Sequence, residues 1–472
     1  MRPLRAARWA FAAMVVGGLG IAPAHADEPK PEPAAPAAAT LAKGKPRTLA
    51  EALSLADKNH PNIKGARAKL MYTRAQLDEA HSAPYSLFKL SGGVGVAPEL
   101  QGNGQYSPNN DVALSNGVAL AWRIDLQGVI PLWTFGKISN LWDAAEANVK
   151  VNEANVEKER DLVRLEVRRA YYGALLARDG RLLLDDVKKT LDDAEANLKE
   201  KIAKAEGDVL DLYKLQAFAA ELDVRAAEAE KWDSVAIAGL RFYTGVADFD
   251  VPNVPLAPPT HKLLPLAEYL EAAAKYRPEL AQARYGVSAR EAQVRMAESG
   301  FYPDIGLGLN VGIGVAPEVD DQINPFAYDP ANYFRYGAAL VFQWSLDFVP
   351  QEARLRQAKS QLAEMHATKQ LADEGVATEI RLAYAEVVDW QKRRDAYAKG
   401  MSKAKKWLIV VQEGIDVGTI EDKELLEPAK TYALNRFNTM NATMELDVAL
   451  AKLARATGWD AIAPDGVTQP PP

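Results

Sequence analysis

From Lys137 to Glu206 the chain carries no proline, and glycine interrupts it only at Gly173 and Gly180. Proline removes a backbone donor and clashes inside a helix, and glycine weakens one, so this long gap is a strong constraint. The stretch is rich in Ala, Leu, Glu, Lys and Arg, all good helix formers, and Gln351 to Glu413 reads the same way. At ~1.5 Å per residue such a helix runs roughly 100 Å. Helices far beyond about 25 residues belong to coiled coils or helical arrays rather than compact domains. Small residues recur, as in Ala144-Ala145-Glu146-Ala147, and allow close helix contact. Each long helix is followed by a second of about half its length, Val209 to Thr244 and Glu424 to Thr457, with breaks at Gly207 and Gly418. Two antiparallel helices joined at a glycine turn make a hairpin. Pro428 lies two turns into the segment after Gly418. Proline is tolerated only in a first turn, so the last helix is expected to start late, near Glu424.

The hairpins belong to a duplicated unit. Leu49-Ala50-Glu51-Ala52-Leu53 returns as Leu266-Ala267-Glu268-Tyr269-Leu270, and Pro61 as Pro278, 217 positions on (278 − 61 = 217). Gly95-Val96-Ala97-Pro98-Glu99 returns as Gly314-Val315-Ala316-Pro317-Glu318, Ala170-Tyr171 as Ala383-Tyr384, and Thr244-Gly245 as Thr457-Gly458. A period this long excludes a solenoid. We expect one structural repeat over 48–251, a second over 266–458, a Pro-rich connector over 252–265 and a tail over 459–472. Each repeat reads as a helical piece, two strands and a long helical hairpin.

The strands alternate. Val118, Leu120, Trp122, Ile124 and Leu126 face one way, and Ala119, Ala121, Arg123, Asp125 and Gln127 the other. Tyr336 to Asp347 and Ile305 to Val315 alternate likewise, and Phe88 to Val96 more weakly. Period-2 alternation gives a two-faced strand. Either the apolar face turns inward in a soluble sandwich, or it turns outward to lipid around a polar lumen. Strands of ~9–11 residues cross a bilayer when tilted. Trp122, Tyr336 and Trp344 suit an interfacial girdle. Four strands cannot close a membrane barrel, for which ~8 is the practical minimum, so a barrel requires several chains.

The N-terminus reads as a secretory signal over 1–26. Arg2, Arg5 and Arg8 precede an apolar run from Trp9 to Ile21 and an Ala24-His25-Ala26 cleavage site. Cleavage makes Asp27 the first mature residue and moves the net charge from −7 to −10 (−7 − 3 = −10). A Pro/Ala-rich linker is expected over 27–47. The absence of cysteine leaves stability to packing. An acidic chain without a basic block is a poor nucleic-acid binder. The five histidines are scattered, with no metal-ligand spacing, and no phosphate loop or nucleophile elbow occurs. The reading is therefore of a non-enzyme without cofactor or metal.

With these features in order, the chain resembles the TolC family of outer-membrane efflux proteins over roughly Thr48 to Gly458. The resemblance rests on the Leu-x-x-Ala-Leu opening of Leu49 to Leu53 followed by Asn59-His60-Pro61, on Pro131-Leu132-Trp133-Thr134-Phe135-Gly136-Lys137, and on Val417-Gly418-Thr419. It implies a mainly α fold with a membrane β-barrel, in which a homotrimer closes a twelve-stranded barrel on an α-helical periplasmic tunnel. It implies an outer-membrane export channel, seated in lipid, that receives cargo from an inner-membrane transporter through a periplasmic adaptor. Family adaptors meet the hairpin tips, here Gly207 and Asp208, and Gly418 and Thr419. Glu424 and Glu427 match positions that carry pore-facing acids at the periplasmic aperture. Without the resemblance they read as a solvated acidic face near a helix N-terminus. The candidates for holding the aperture shut are Lys423, Lys214 and Tyr213. A stand-alone porin explains the strands but not the helices, and a periplasmic coiled-coil scaffold the helices but not the strands.

Overall fold

A computed structural model describes residues 44–85, 87–101, 113–204, 207–321, 328–460 and 463. The expected signal at 1–26, most of the 27–47 linker and most of the 459–472 tail lie outside them. The element order over Leu49–Thr244 is two helices, two strands and two helices, and it recurs over Leu266–Thr457. In the first half these are α1 (Leu49–Asn59), α2 (Pro61–Ser82), β2 (Lys89–Gln101), β3 (Ala113–Trp133), α3 (Lys137–Ala203) and α4 (Val209–Thr244). In the second they are α5 (Leu266–Tyr276), α6 (Pro278–Ser299), β5 (Asp304–Val315), β6 (Tyr333–Gln343), α7 (Phe348–Asp416) and α8 (Leu426–Thr457). No helix among the described residues is long and apolar enough to cross a membrane.

Local chemistry sets the helix ends. Thr48 caps α1 in a capping box, accepting from the Glu51 N–H while the Glu51 carboxylate accepts from the Thr48 N–H at 2.8 Å. Pro61 and Pro278 stand at the first positions of α2 and α6, where their missing N–H costs nothing. The end of the expected linker is ordered by pairing. Lys45–Pro46 forms β1, a short parallel ladder with β4 (Phe249–Asp250), closed by the Arg47 N–H on the Asp250 carbonyl at 2.9 Å.

His60 caps α2, its Nδ1 accepting from the Asn62 N–H at 3.3 Å. Its ring is buried, stacked on Tyr243 and edge-on to Phe242. Burial disfavours the charged imidazolium and lowers the His60 pKa below its ordinary 6.5, with Glu159 opposing. The neutral form is therefore the folded one. Its stabilisation is complete above 6.5 and is lost as pH falls from there through the depressed folded pKa. His60→Asn keeps a capping side chain and removes the titration. The stability difference between wild type and variant, followed by thermal unfolding from pH 7 to 5, should move against wild type on acidification. A difference independent of pH would refute the assignment.

The four-stranded sheet has the order β2-β3-β5-β6 with every pair antiparallel. The register puts Leu90, Leu126, Val311 and Tyr336 in one row and Ser91, Asp125, Gly312 and Arg335 in the next. The alternation read from sequence thus becomes two chemically distinct faces. The apolar face is bare, with Tyr336 78%, Val96 76% and Leu340 71% exposed. Several strand limits differ from expectation, with β2 reaching Gln101 and β3 beginning at Ala113. β3 runs on through Pro131 to Trp133, with a register irregularity where the missing N–H falls. β6 covers Tyr333–Gln343 rather than 336–347. The Trp344 indole donates to the Phe301 carbonyl at 3.0 Å and Ser345 to the Asp347 carboxylate, which takes the chain off the ladder into α7.

The helices bury two large cores, beside a small α3–α4 cluster of Leu191, Phe218 and Leu222. In one, Leu53, Ile63, Val167 and Leu240 pack α1, α2, α3 and α4 together, with Phe249 beneath. In the other, Tyr269, Ile380, Val387 and Leu453 join α5, α7 and α8. Buried ion pairs tie the elements around the first core. Arg164 binds Asp57 of α1 at 2.6 Å and Asp460, beyond α8, at 2.8 Å, and Arg168 binds Asp460 at 2.8 Å.

Candidate functional site at the hairpin tips

The helices of each pair meet at a tip. At the first, Lys204 ends α3 and the Asp208 carboxylate caps α4, accepting from the Leu210 N–H at 2.8 Å. At the second, Gly418 takes a left-handed φ of 73°, as its position at a helix end requires. The Gly418 N–H reaches the Ile415 carbonyl at 3.0 Å, and the Thr419 N–H and Oγ1 both donate to the Gly414 carbonyl at 2.8 and 3.1 Å. Four residues, Asp422–Leu425, then form a 3-10 turn before α8 begins at Leu426. The helix therefore starts two residues later than Glu424, and Pro428 falls in its first turn, where it fits without a kink.

Glu424, in the 3-10 turn, and Glu427, in the first turn of α8, are both exposed. Between α3, the start of α4 and the start of α8 lies a cavity of about 670 Å³, and both glutamates line it. So do Asp208 and Asp211 of the first tip, with Lys214 and Lys423. The fold thus gathers the acids of both tips around one opening. Gly207, Gly418 and Thr419 stand outside this lining and shape the turns. Leu183, Val187 and Leu191 of α3 form its apolar side, and Arg436 of α8 faces Asp186 of α3 at 3.7 Å across it.

Of the three candidates for holding the aperture shut, Lys423 and Lys214 line the cavity. Lys423 binds Glu421 at 2.5 Å, and Lys214 binds Asp211 at 2.9 Å. Glu421 holds the Lys423 ammonium above its usual range, with Asp211 and Glu424 adding to the effect. Tyr213 points elsewhere and is exposed. That Asp208 and Asp211 line the same cavity as Glu424 and Glu427 was not read from the sequence. The signal was present, since 424 − 208 and 427 − 211 both give 216, close to the duplication offset.

A model of the family described as outer membrane efflux protein matches residues 52–199 and 269–459, which covers both halves. CyaE of Bordetella pertussis is 28% identical over 323 residues, and the chain spans 65% of that relative's length. Among solved structures, CusC superposes with a TM-score of 0.71 at 16% identity, covering 88% of this chain and 93% of that one. The open-state outer membrane channel MtrE of Neisseria gonorrhoeae gives 0.70 at 18% identity, with coverage of 91% and 96%. VceC, an outer membrane protein of Vibrio cholerae, gives 0.68 at 17%, with coverage of 87% and 96%. The fold is theirs, and the two-part family match goes further: this chain belongs to the outer membrane efflux protein family, whose members are outer-membrane channels of tripartite efflux and secretion systems rather than enzymes.

Proposed function

We propose that three copies of the chain close one twelve-stranded barrel in the outer membrane and continue it as a helical tunnel into the periplasm. The trimer is the exit duct of a tripartite pump, fed by an inner-membrane transporter through a periplasmic adaptor. The sheet carries this reading. Its apolar face is exposed, and among the described residues β2 and β6 each have a ladder partner on one side only. Open edges cannot persist in hydrocarbon, where every backbone group needs a partner, so edges of neighbouring copies must pair. The helices carry exposed apolar residues as well, including Trp232 and Phe242 on α4 and Leu371 and Leu382 on α7, for neighbouring copies to cover. In this assembly 48–251 and 266–458 are two structural repeats joined by the 252–265 connector. Residues 1–26 are a signal, 27–47 a linker whose last residues pair with β4, and 459–472 a tail.

In the trimer, Glu424 and Glu427 supply rings of carboxylate at the periplasmic aperture, flanked by Asp208 and Asp211. Crowded like charges between low-dielectric walls focus the field, draw cations in and turn anions back. Lys423 and Lys214 offset this repulsion while the aperture is narrow, and Gly207, Asp208, Gly418 and Thr419 present the tips to the adaptor. Replacing Glu424 and Glu427 with Gln tests the acid rings in planar bilayers. The cation-to-anion permeability ratio should fall roughly threefold or more, since removing paired charges within ~8 Å of an ion outweighs screening at ordinary salt. Block by trivalent cations should weaken too. An unchanged ratio with unchanged block would return both residues to a solvated acidic face.

A further inference from the structure

The barrel wall carries a second charge pattern, opposite in sign to the tips. On the polar face of the sheet, Ser91, Asp125, Gly312 and Arg335 share one row, and Gly93, Arg123, Gly314 and Tyr333 the next. Arg335 reaches over Gly312 to bind Asp125 at 3.2 Å, donates to the Tyr328 hydroxyl at 2.7 Å, and lies 4.5 Å from the Tyr333 ring centre. A β-carbon on Gly312 would stand 2.6 Å from the Asp125 carboxylate, so glycine lets this pair sit across the strand without shifting. Asp304, on the same face, is held by Lys137 of α3 at 2.8 Å. Both acids of this face are thus already paired, among residues whose side chains are described. Arg123 is exposed in the neighbouring row and makes no ion pair among the described residues, beside the bare Gly93 and the Tyr333 ring that covers Gly314. Lys89 adds a further exposed cation at the start of β2.

We propose that Arg123 is a selectivity determinant of the channel, an anion-attracting ring of three guanidinium groups on the lumen wall of the barrel. Asp125 is paired with Arg335 and not with Arg123, so the two guanidiniums and one carboxylate leave a net positive charge on each copy. Arg335 is therefore a positioning residue that keeps the ring's charge uncompensated. A channel with acidic rings at the periplasmic end and a cationic ring in the barrel favours cargo that carries both charges, or an anion released outward after the aperture. This rests on the lumen reading of the polar face given above.

The native chain has no cysteine, so Ala121→Cys, one step from Arg123 on the same face, gives a single reactive thiol in the full-length assembly. The probes are an anionic and a cationic methanethiosulfonate of similar size, applied to the channel in planar bilayers. Adding Arg123→Gln should lower the ratio of anionic to cationic modification rates roughly threefold at physiological salt, and Arg123→Lys should preserve it. The reversal potential of Arg123→Gln should shift toward cations while the trivalent block at the tips stays as in wild type. An unchanged ratio and reversal potential in Arg123→Gln channels would overturn the proposal and leave the export duct standing. A thiol at position 121 that neither reagent reaches in conducting channels would overturn the lumen reading and this proposal with it.

Discussion

Arg164→Ala should destabilise the folded chain by about 3 kcal/mol, the lower end of what breaking a buried ion pair costs. The Arg164 side chain is 5% exposed and holds two carboxylates from distant parts of the chain, Asp57 and Asp460. Removing it leaves both acids short of a partner away from water. The cost stays at the low end because Arg160 still reaches Asp57 at 3.3 Å and Arg168 still reaches Asp460 at 2.8 Å. The exposed pair of Arg181 with Glu230 provides the control, since surface ion pairs contribute little. Thermal unfolding of the detergent-extracted protein should show a clear fall in midpoint for Arg164→Ala and none for Arg181→Ala. Equal shifts would mean that the buried network adds nothing beyond an ordinary surface pair.

Gly418→Trp should abolish export while leaving assembled channels in the membrane at wild-type levels. The left-handed φ of 73° costs a side-chain-bearing residue of order 1 kcal/mol, which a chain of this size absorbs. A β-carbon there meets nothing within 4 Å, so the added ring projects outward rather than into the fold. Its effect then falls on whatever docks at the tip. Gly418→Asn separates backbone from bulk, because asparagine tolerates the left-handed region, and it should export normally. Normal cargo export by Gly418→Trp channels, measured against channel content of the outer membrane, would count against an adaptor contact at this tip.

Much of this architecture was legible in the sequence because it is written in local signals. The proline-free run beginning at Lys137, the capping Thr48, the prolines at 61 and 278 and the glycine at 418 each act within a few residues, and each sits where its chemistry demands. The two-faced strands were equally plain, because side-chain period fixes the face. What stayed hidden depends on distance along the chain. Nothing near Arg164 points to Asp460, 296 residues away, and nothing in Lys45–Pro46 announces a ladder with Phe249–Asp250. The end of β6 was misplaced for a similar reason, since Trp344 continues the alternation but its indole is claimed by Phe301. At the tips, Glu424 and Glu427 were recognisable singly. The cavity they share with Asp208 and Asp211 appears only once the two hairpins pack side by side.

The same dependence on assembly makes the number of chains per particle the most direct test of the whole account. An exposed apolar sheet with two open edges has no stable place as a single copy, in water or in lipid. The protein should be extracted from the outer-membrane fraction only with detergent. Its native mass, measured by mass spectrometry after detergent is stripped, should be that of three mature chains. A single chain recovered without detergent from the periplasm as the main native form would contradict the trimeric channel.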